Sequence, residues 1–307
     1  MDGLVPDLAG SRAGAAAVSA GATTRRSPGG PDPAQPHGRA DLHIHTLASD
    51  GTDGVEAILA HVTANTDLDV LGIADHERID AAIAARALAR ARGLRVEIVV
   101  GEEVTTRDGH LLALFVEERL RPFRSMRTTI GEIHEQGGIA IPAHPLFPYP
   151  LCAQGWTLRR LLAADDPRVR PDALEAFNPT TFGRLVHGRV GAFAAAHGVA
   201  TVGNSDAHEA AAIGTGFTTF PGRTAEDVRC AILAGTTGWE GSFHRTASQL
   251  PTFGRQLRKY GRDIRAEVGG RVRRDATGRD LGYPGGRFRP PRLDETAGVV
   301  RPREDAS

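Results

Sequence analysis

The sequence predicts an α/β domain, a parallel sheet covered by helices, on two observations. Short apolar runs alternate with amphipathic stretches from Ala40 onward, and most of the apolar runs end in histidines or carboxylates. Strand candidates are Asp41–Thr46, Val70–Asp75, Val96–Thr105, His110–Val116, Ile139–Ala143, Ala173–Phe177 and Val199–Gly203. Helix candidates between them are Val55–Asn65, Ile79–Arg92, Met126–Gln136, Leu158–Ala163, Arg184–His197 and Ala225–Leu233. Such alternation indicates a parallel sheet, and periodicity alone leaves both an open sheet and a barrel standing.

Residues 1–38 are rich in Ala, Gly, Pro, Ser and Arg without sustained periodicity, which predicts a disordered N-terminal extension. The start, Met1-Asp2, has no basic region, and Ala13–Val18 is too short for a signal-peptide core. No apolar run approaches the ~18–20 residues that span a bilayer, so a cytoplasmic protein is expected. Residues 39–242 form the predicted domain, closed by Gly235 to Gly238 after the last helix. In 243–307, Phe253, Leu257, Tyr260, Ile264 and Val268 recur at helical spacing, and Gly, Pro and Arg dominate residues 271–307. A basic amphipathic helix and an extended tail are expected there.

The net charge is zero but uneven: residues 245–307 hold fifteen Lys/Arg against eight Asp/Glu, leaving an acidic body. Cys152 and Cys230 stand far apart, so neither a disulfide framework nor a cysteine zinc site is expected. Any metal must be held by His, Asp and Glu.

The strongest motif is Asp41-Leu42-His43-Ile44-His45-Thr46 followed by Asp50-Gly51. Residues two apart on a strand face one side. His43 and His45 therefore project together, with Leu42 and Ile44 on the opposite, helix-packed side. Both imidazoles can then reach one metal at the ~2.0–2.1 Å Zn–N distance. The next strand ends Ala74-Asp75-His76, which fits a ligand, His76, beside the carboxylate that orients it, Asp75. Gly101-Glu102-Glu103 offers a Glu whose two oxygens can bridge two cations, with Glu102 turned outward. His110 opens an apolar strand, His144 ends another in Ala143-His144-Pro145, and Asp206 and His208 repeat the two-residue spacing after Val202-Gly203. In a parallel barrel such strand ends share one face, where active sites are built. His37, His61, His134, His187, His197 and His244 fall in tails or helix patterns and read as ordinary.

Taken in order, His-x-His with Ser-Asp-Gly, Asp-His, Gly-x-Glu, Ala-His-Pro and Ser-Asp-x-His resemble the PHP family, named for polymerase and histidinol phosphatase. The likeness spans about residues 40–240 and its compact branch, without a long helical insertion between Val116 and Gly138. The resemblance implies a distorted, TIM-like (β/α)7 barrel holding two or three divalent ions, Mn, Zn or Fe. It selects Glu103 over Glu102. One ion falls to His43, His45, Glu103 and Asp206, a second to Glu103, His110 and His144, and a third to Asp50, His76 and His208. Glu77-Arg78 departs from the small polar residues usual after Asp-His.

Three divalent ions against Asp50, Glu103 and Asp206 leave a positive site, which suits a phosphate dianion better than an amide. Metal-bound water is acidified towards pKa ~7, giving a nucleophile at neutral pH. Asp206, His208 and Glu103 are the expected catalytic residues, and His208, His110 or water protonates the leaving group. Arg78, Arg107 and Arg184 follow strand ends and are candidate phosphate contacts, because Lys259 is the sole lysine. The expected partner is a small phosphorylated metabolite or nucleotide. A nuclease on short nucleic acid and a catalytically idle metal-binding module are the rival readings. The basic tail favours the first rival slightly, though no RNA-binding motif or aromatic series accompanies it. The sequence leaves the oligomeric state open.

Overall fold

The computed structural model describes residues 25–27, 37–243, 292–293 and 300–301. The strands are β1 (Arg25–Arg26), β2 (His37–Ile44), β3 (Val70–Ile73), β4 (Glu97–Thr106), β5 (Gly109–Leu114), β6 (Ile139–Pro142), β7 (Ala173–Phe177), β8 (Ala200–Gly203), β9 (Gly216–Pro221) and β10 (Gly238–Gly241). Helices are α1 (Val55–Asn65), α2 (Asp80–Ala91), α3 (Met126–Glu135), α4 (Gly155–Leu162), α5 (Thr181–His197) and α6 (Ala225–Ala234). Arg292–Leu293 and Val300–Arg301 form a separate two-stranded ladder. The helix expected over Phe253–Val268 lies outside the described residues. No helix among them is long and apolar enough to cross a membrane.

The α/β expectation holds, but the curled sheet is mixed rather than parallel. Its order is β1-β10-β9-β2-β3-β4-β5-β6, with β7 and β8 a parallel pair apart. Only β2, β3 and β4 run parallel within it; β4–β5–β6 is an antiparallel meander. The turn between β4 and β5 has no room for a crossover helix, which a parallel return requires. The β7–β8 pair is tied in on both sides by polar links. Asp172 N donates to Ala140 O at 2.9 Å, and Thr218 Oγ1 bonds Gly203 O at 2.8 Å and Gly203 N at 3.1 Å.

Three strands escape the sequence reading. Phe217-Thr218-Thr219-Phe220 makes β9, and Trp239 with Glu240 makes β10, both antiparallel additions. Arg25 and Arg26, inside the extension expected to be disordered, pair with Gly241 and Glu240, and β2 begins at His37.

Two cores follow from the strand alternation. Ile44, Leu71, Ile73 and Val100 face Ile58, Leu59, Ala85 and Leu88 of α1 and α2. Leu42, Val70, Val99, Leu112, Ile139 and Phe220 fill a second cluster with Val228 and Ile232 of α6. Leu42 and Ile44 thus separate, against the expectation of a shared face. The register of β2 on β3 slips between Asp41 and Ile44, a bulge that adds a residue and re-aims the side chains. Gly72 makes room for it, since a Cβ there would lie 2.7 Å from Leu42 Cα.

His134 is not the ordinary helix residue the pattern suggests. Its Nδ1 meets Arg168 O at 2.7 Å and its Nε2 meets Asp172 Oδ2 at 2.9 Å. The same carboxylate oxygen accepts from Ala140 N at 2.7 Å, so the ring fastens α3 to the β6–β7 junction. The Asp172 hydrogen bond and charge hold the imidazole pKa above its usual value against the opposing effect of burial. A raised folded pKa stabilises fully below the unfolded value, about 6.5, and that contribution is lost as pH rises through the folded value. His134→Asn is expected to cost about 1–3 kcal/mol, with the deficit shrinking in alkaline buffer. Thermal melts at pH 6 and pH 9.5 check this, and a deficit that does not shrink with pH contradicts it.

Candidate metal centre

The expected residues arrive at one end of the sheet by different routes. His43 and His45 sit at the end of β2, Asp50 in the loop after it, His76 after β3, Glu103 within β4, and His144 after β6. Asp206 and His208 follow β8, whose continuation lies against β2: His45 N donates to Ala207 O at 2.8 Å and Leu42 N to Asn204 Oδ1 at 3.0 Å. His110 lies at the start of its strand instead of following its end, because β5 runs opposite to β4. The pairing of Thr105 with His110 puts Glu103 and His110 on one face.

All nine residues expected as ligands come together. His43 Nε2 lies 3.2 Å from Glu103 Oε2 and 3.5 Å from Asp206 Oδ1, and His45 Nε2 lies 3.3 Å from each of those oxygens. The two Nε2 atoms are 3.1 Å apart. Donors about 2.0–2.1 Å from a tetrahedral ion stand about 3.4 Å from one another, so the spacing fits one cation among these four side chains. The other oxygen of Glu103 faces a second set: His110 Nδ1 at 2.7 Å and His144 Nε2 at 3.2 Å. In a third group His208 Nε2 is 3.1 Å, and His76 Nε2 3.8 Å, from Asp50 Oδ2.

The grouping is more interleaved than expected. His76 Nδ1 also approaches Glu103 Oε2 at 3.4 Å, and His45 Nδ1 approaches Asp50 Oδ1 at 3.6 Å. His76 therefore fits with Glu103 and His110, and His45 fits with Asp50, His76 and His208. Among the described residues His45 Nδ1 is buried without a hydrogen-bond partner, an arrangement that suits a cation.

The electrostatics agree with that donor set. Burial alone would lower the His43 and His45 pKa values, but the carboxylates outweigh it. Asp206, Glu103 and Glu175 hold His43 well above its usual value, and Asp206 and Glu103 lift His45 to about 10. Burial pushes Asp50 and Glu103 upward, yet His76 and His208 hold the first, and His110, His76 and His43 the second, well below the carboxylate range. Asp206 is likewise lowered, by His43 and His45 against burial. In the chain alone protons supply the positive charge, and divalent ions compete with those protons for the imidazole nitrogens.

The backbone is bent to serve these ligands. His144 and Asp206 hold φ of 32° and 50°, the left-handed region that non-glycine residues seldom enter. Strain of this kind persists where surrounding bonds enforce it. His144 N donates to Glu175 Oε2 at 2.8 Å, and Asp41 Oδ1 holds Ser205 N at 3.0 Å beside Asp206.

Several assignments change. The Asp75 carboxylate accepts from Thr46 N at 2.8 Å, Thr46 Oγ1 at 2.7 Å and the Ser49 hydroxyl, bracing the loop that carries Asp50. Glu102 faces away from the cluster but is buried, not outward; it accepts from Leu120 N at 3.0 Å, and burial raises its pKa to about 8. The three candidate arginines have other partners. Arg78 is held bidentately by Asp80, Arg107 Nε donates to Phe123 O at 2.9 Å, and the Arg184 guanidinium lies 5.5 Å from the Phe243 ring centroid.

Glu175 is the residue the sequence reading missed. It is 1% exposed. It meets His43 Nδ1 at 2.9 Å and accepts from Asn204 at 2.8 Å and Asn178 at 3.2 Å. A carboxylate on the far nitrogen of a histidine fixes the tautomer and ring orientation, leaving Nε2 for a cation. Its signal was a lone Glu inside the apolar Ala173–Phe177 strand, where burying a charge is costly without a partner.

The PHP-associated family pattern matches residues 185–237, which include Asp206 and His208. An uncharacterized protein of Methanocaldococcus jannaschii is 35% identical over 121 residues, 36% of this chain and 69% of that one. The fold resembles a two-domain protein from Bacteroides vulgatus containing a predicted PHP-like metal-dependent phosphoesterase. The TM-score is 0.52 at 18% identity, over 72% of this chain and 70% of that one. PsfC from Pseudomonas syringae is similar at TM-score 0.49 and 17% identity, over 74% and 99% of the two chains. Family pattern, fold and ordered motifs agree: the chain belongs to the PHP family.

Proposed function

We propose that the cluster holds two or three divalent ions, Mn, Zn or Fe, and that the protein hydrolyses a phosphoester of a small metabolite or nucleotide. The observation that carries this reading is Glu103, whose two oxygens face two different sets of histidines. We read the curled sheet with its β7–β8 pair as the distorted barrel of the family, with the site at its carboxyl end. When bound, the ions supply Lewis acidity and a water acidified to about pKa 7.

The chain's own residues account for the rest. Asp206 and Glu103 stay anionic beside His43 and His45, so they remain ligands across the neutral range. Glu175 locks His43, and Asp75 locks the Asp50 loop. Glu175 adds a fourth carboxylate to Asp50, Glu103 and Asp206, and three divalent ions still leave the site positive for a phosphate. His208 and His110 are the candidates to hand a proton to the leaving oxygen, with solvent the third.

The test is phosphate release from a panel of phosphomonoesters and short oligonucleotides, with Mn²⁺ or with chelator. Release from monoesters that stops on chelation is expected. Activity confined to oligonucleotides marks the nuclease, and bound metal without turnover marks the idle module.

A further inference from the structure

A cleft lies beside the loop that carries His144. Leu146, Gln154, Gly155, Trp156, Arg159, Arg189 and Phe193 line a cleft of about 360 Å³ between α4 and α5, within the ~300–1,000 Å³ range of small-molecule sites. Trp156 is 60% exposed there, an unusual setting for a large aromatic side chain. Its neighbour Arg160 lies 5.8 Å from the ring centroid. Leu146 follows His144 by two residues, and its N–H bonds Ala153 O at 2.9 Å, so the cleft wall and that ligand share one short loop.

The charges decide what the cleft takes. Many arginines on the domain surface are ion-paired: Arg86 with Glu117, Arg124 with Glu132, Arg168 with Asp166, and Arg95 and Arg223 both with Asp69. Arg159 and Arg189 have no ion pair among the described residues, and both line this cleft. Two unpaired guanidinium groups favour an anion, bidentately for phosphate or carboxylate. Trp156 and Phe193 favour a planar ring against them.

We propose that this cleft is a binding site of its own for a planar ring bearing an anionic group, distinct from the metal centre.

Tryptophan emission tests it directly. The chain has two tryptophans, and Trp239 is 6% exposed, so a ligand in the cleft should quench Trp156 selectively. The probe is a nucleoside phosphonate, which has no scissile phosphoester, titrated into the full chain both Mn²⁺-loaded and chelator-treated. Saturable quenching is expected in both states. Arg159→Ala with Arg189→Ala should weaken it at least tenfold. Trp156→Phe should remove the signal while calorimetry still detects the ligand. All three side chains are on helix surfaces, and unchanged melting curves verify folding. No saturable quenching, an unchanged affinity in the double variant, or quenching that vanishes on chelation overturns the proposal. If quenching follows expectation while phosphate release is absent, the cleft stands and the hydrolytic reading of the metal centre fails.

Discussion

Asp206→Asn is expected to lower turnover by on the order of 10³-fold or more while leaving the fold intact. The carboxylate contacts both imidazoles of the β2 pair, at 3.5 Å and 3.3 Å. An amide keeps the size but removes the charge, and its oxygen is the weaker ligand. Loss or displacement of an ion returns the attacking water from a pKa near 7 toward ~15.7. Asn also tolerates the left-handed φ of 50° at this position, so the backbone has no reason to move. His61→Asn is the matched control, since His61 lies on α1 away from the cluster and its ring nitrogen has only a 3.4 Å contact with Asn65. Phosphate release at saturating Mn²⁺ and melting curves on both proteins decide the matter. Near-normal turnover in Asp206→Asn would falsify the assignment of this carboxylate.

Glu175→Ala is expected to be the most damaging substitution for stability. Four groups lose their acceptor at once: the His43 ring, the side-chain amides of Asn178 and Asn204, and His144 N. Removing one member of a buried charged network costs about 3–5 kcal/mol, which for a domain of this size lowers Tm by roughly 10 °C or more. Metal affinity should also fall by about 10–100-fold, as for other carboxylates behind a liganding histidine. Glu175→Gln preserves the packing and separates the charge effect from the cavity. A Glu175→Ala protein that melts with the parent and binds Mn²⁺ equally well would show that the network is incidental.

How much of this was legible in the sequence depends on what each residue's neighbours are. The seven strands and six helices announced themselves because each has an apolar face with the right period. The nine clustered side chains were legible because strand ends converge wherever a sheet curls. Register was not legible. The β2 bulge separates Leu42 from Ile44, and Gly72 on the neighbouring strand leaves the space that Leu42 occupies. The direction of β5 was hidden for the same reason: a turn too short for a crossover shows in the spacing of Thr106 and Gly109, not in either strand's pattern. Partners distant in sequence were the other blind spot. Asp75 braces Thr46 and Ser49, which lie more than twenty-five residues before it. His134 looked idle on its helix because its partners, Arg168 and Asp172, lie more than thirty residues away.

The central claim is that these histidines and carboxylates hold divalent ions that hydrolyse a phosphoester. It is tested most directly on a single sample, stripped with chelator and titrated back with Mn²⁺, with bound metal and phosphate release measured together. The account predicts two or three ions per chain, with turnover rising as they bind and absent from the stripped protein. Phosphate release that is undiminished in protein shown to carry no metal would contradict it, and so would a chain that never takes up an ion.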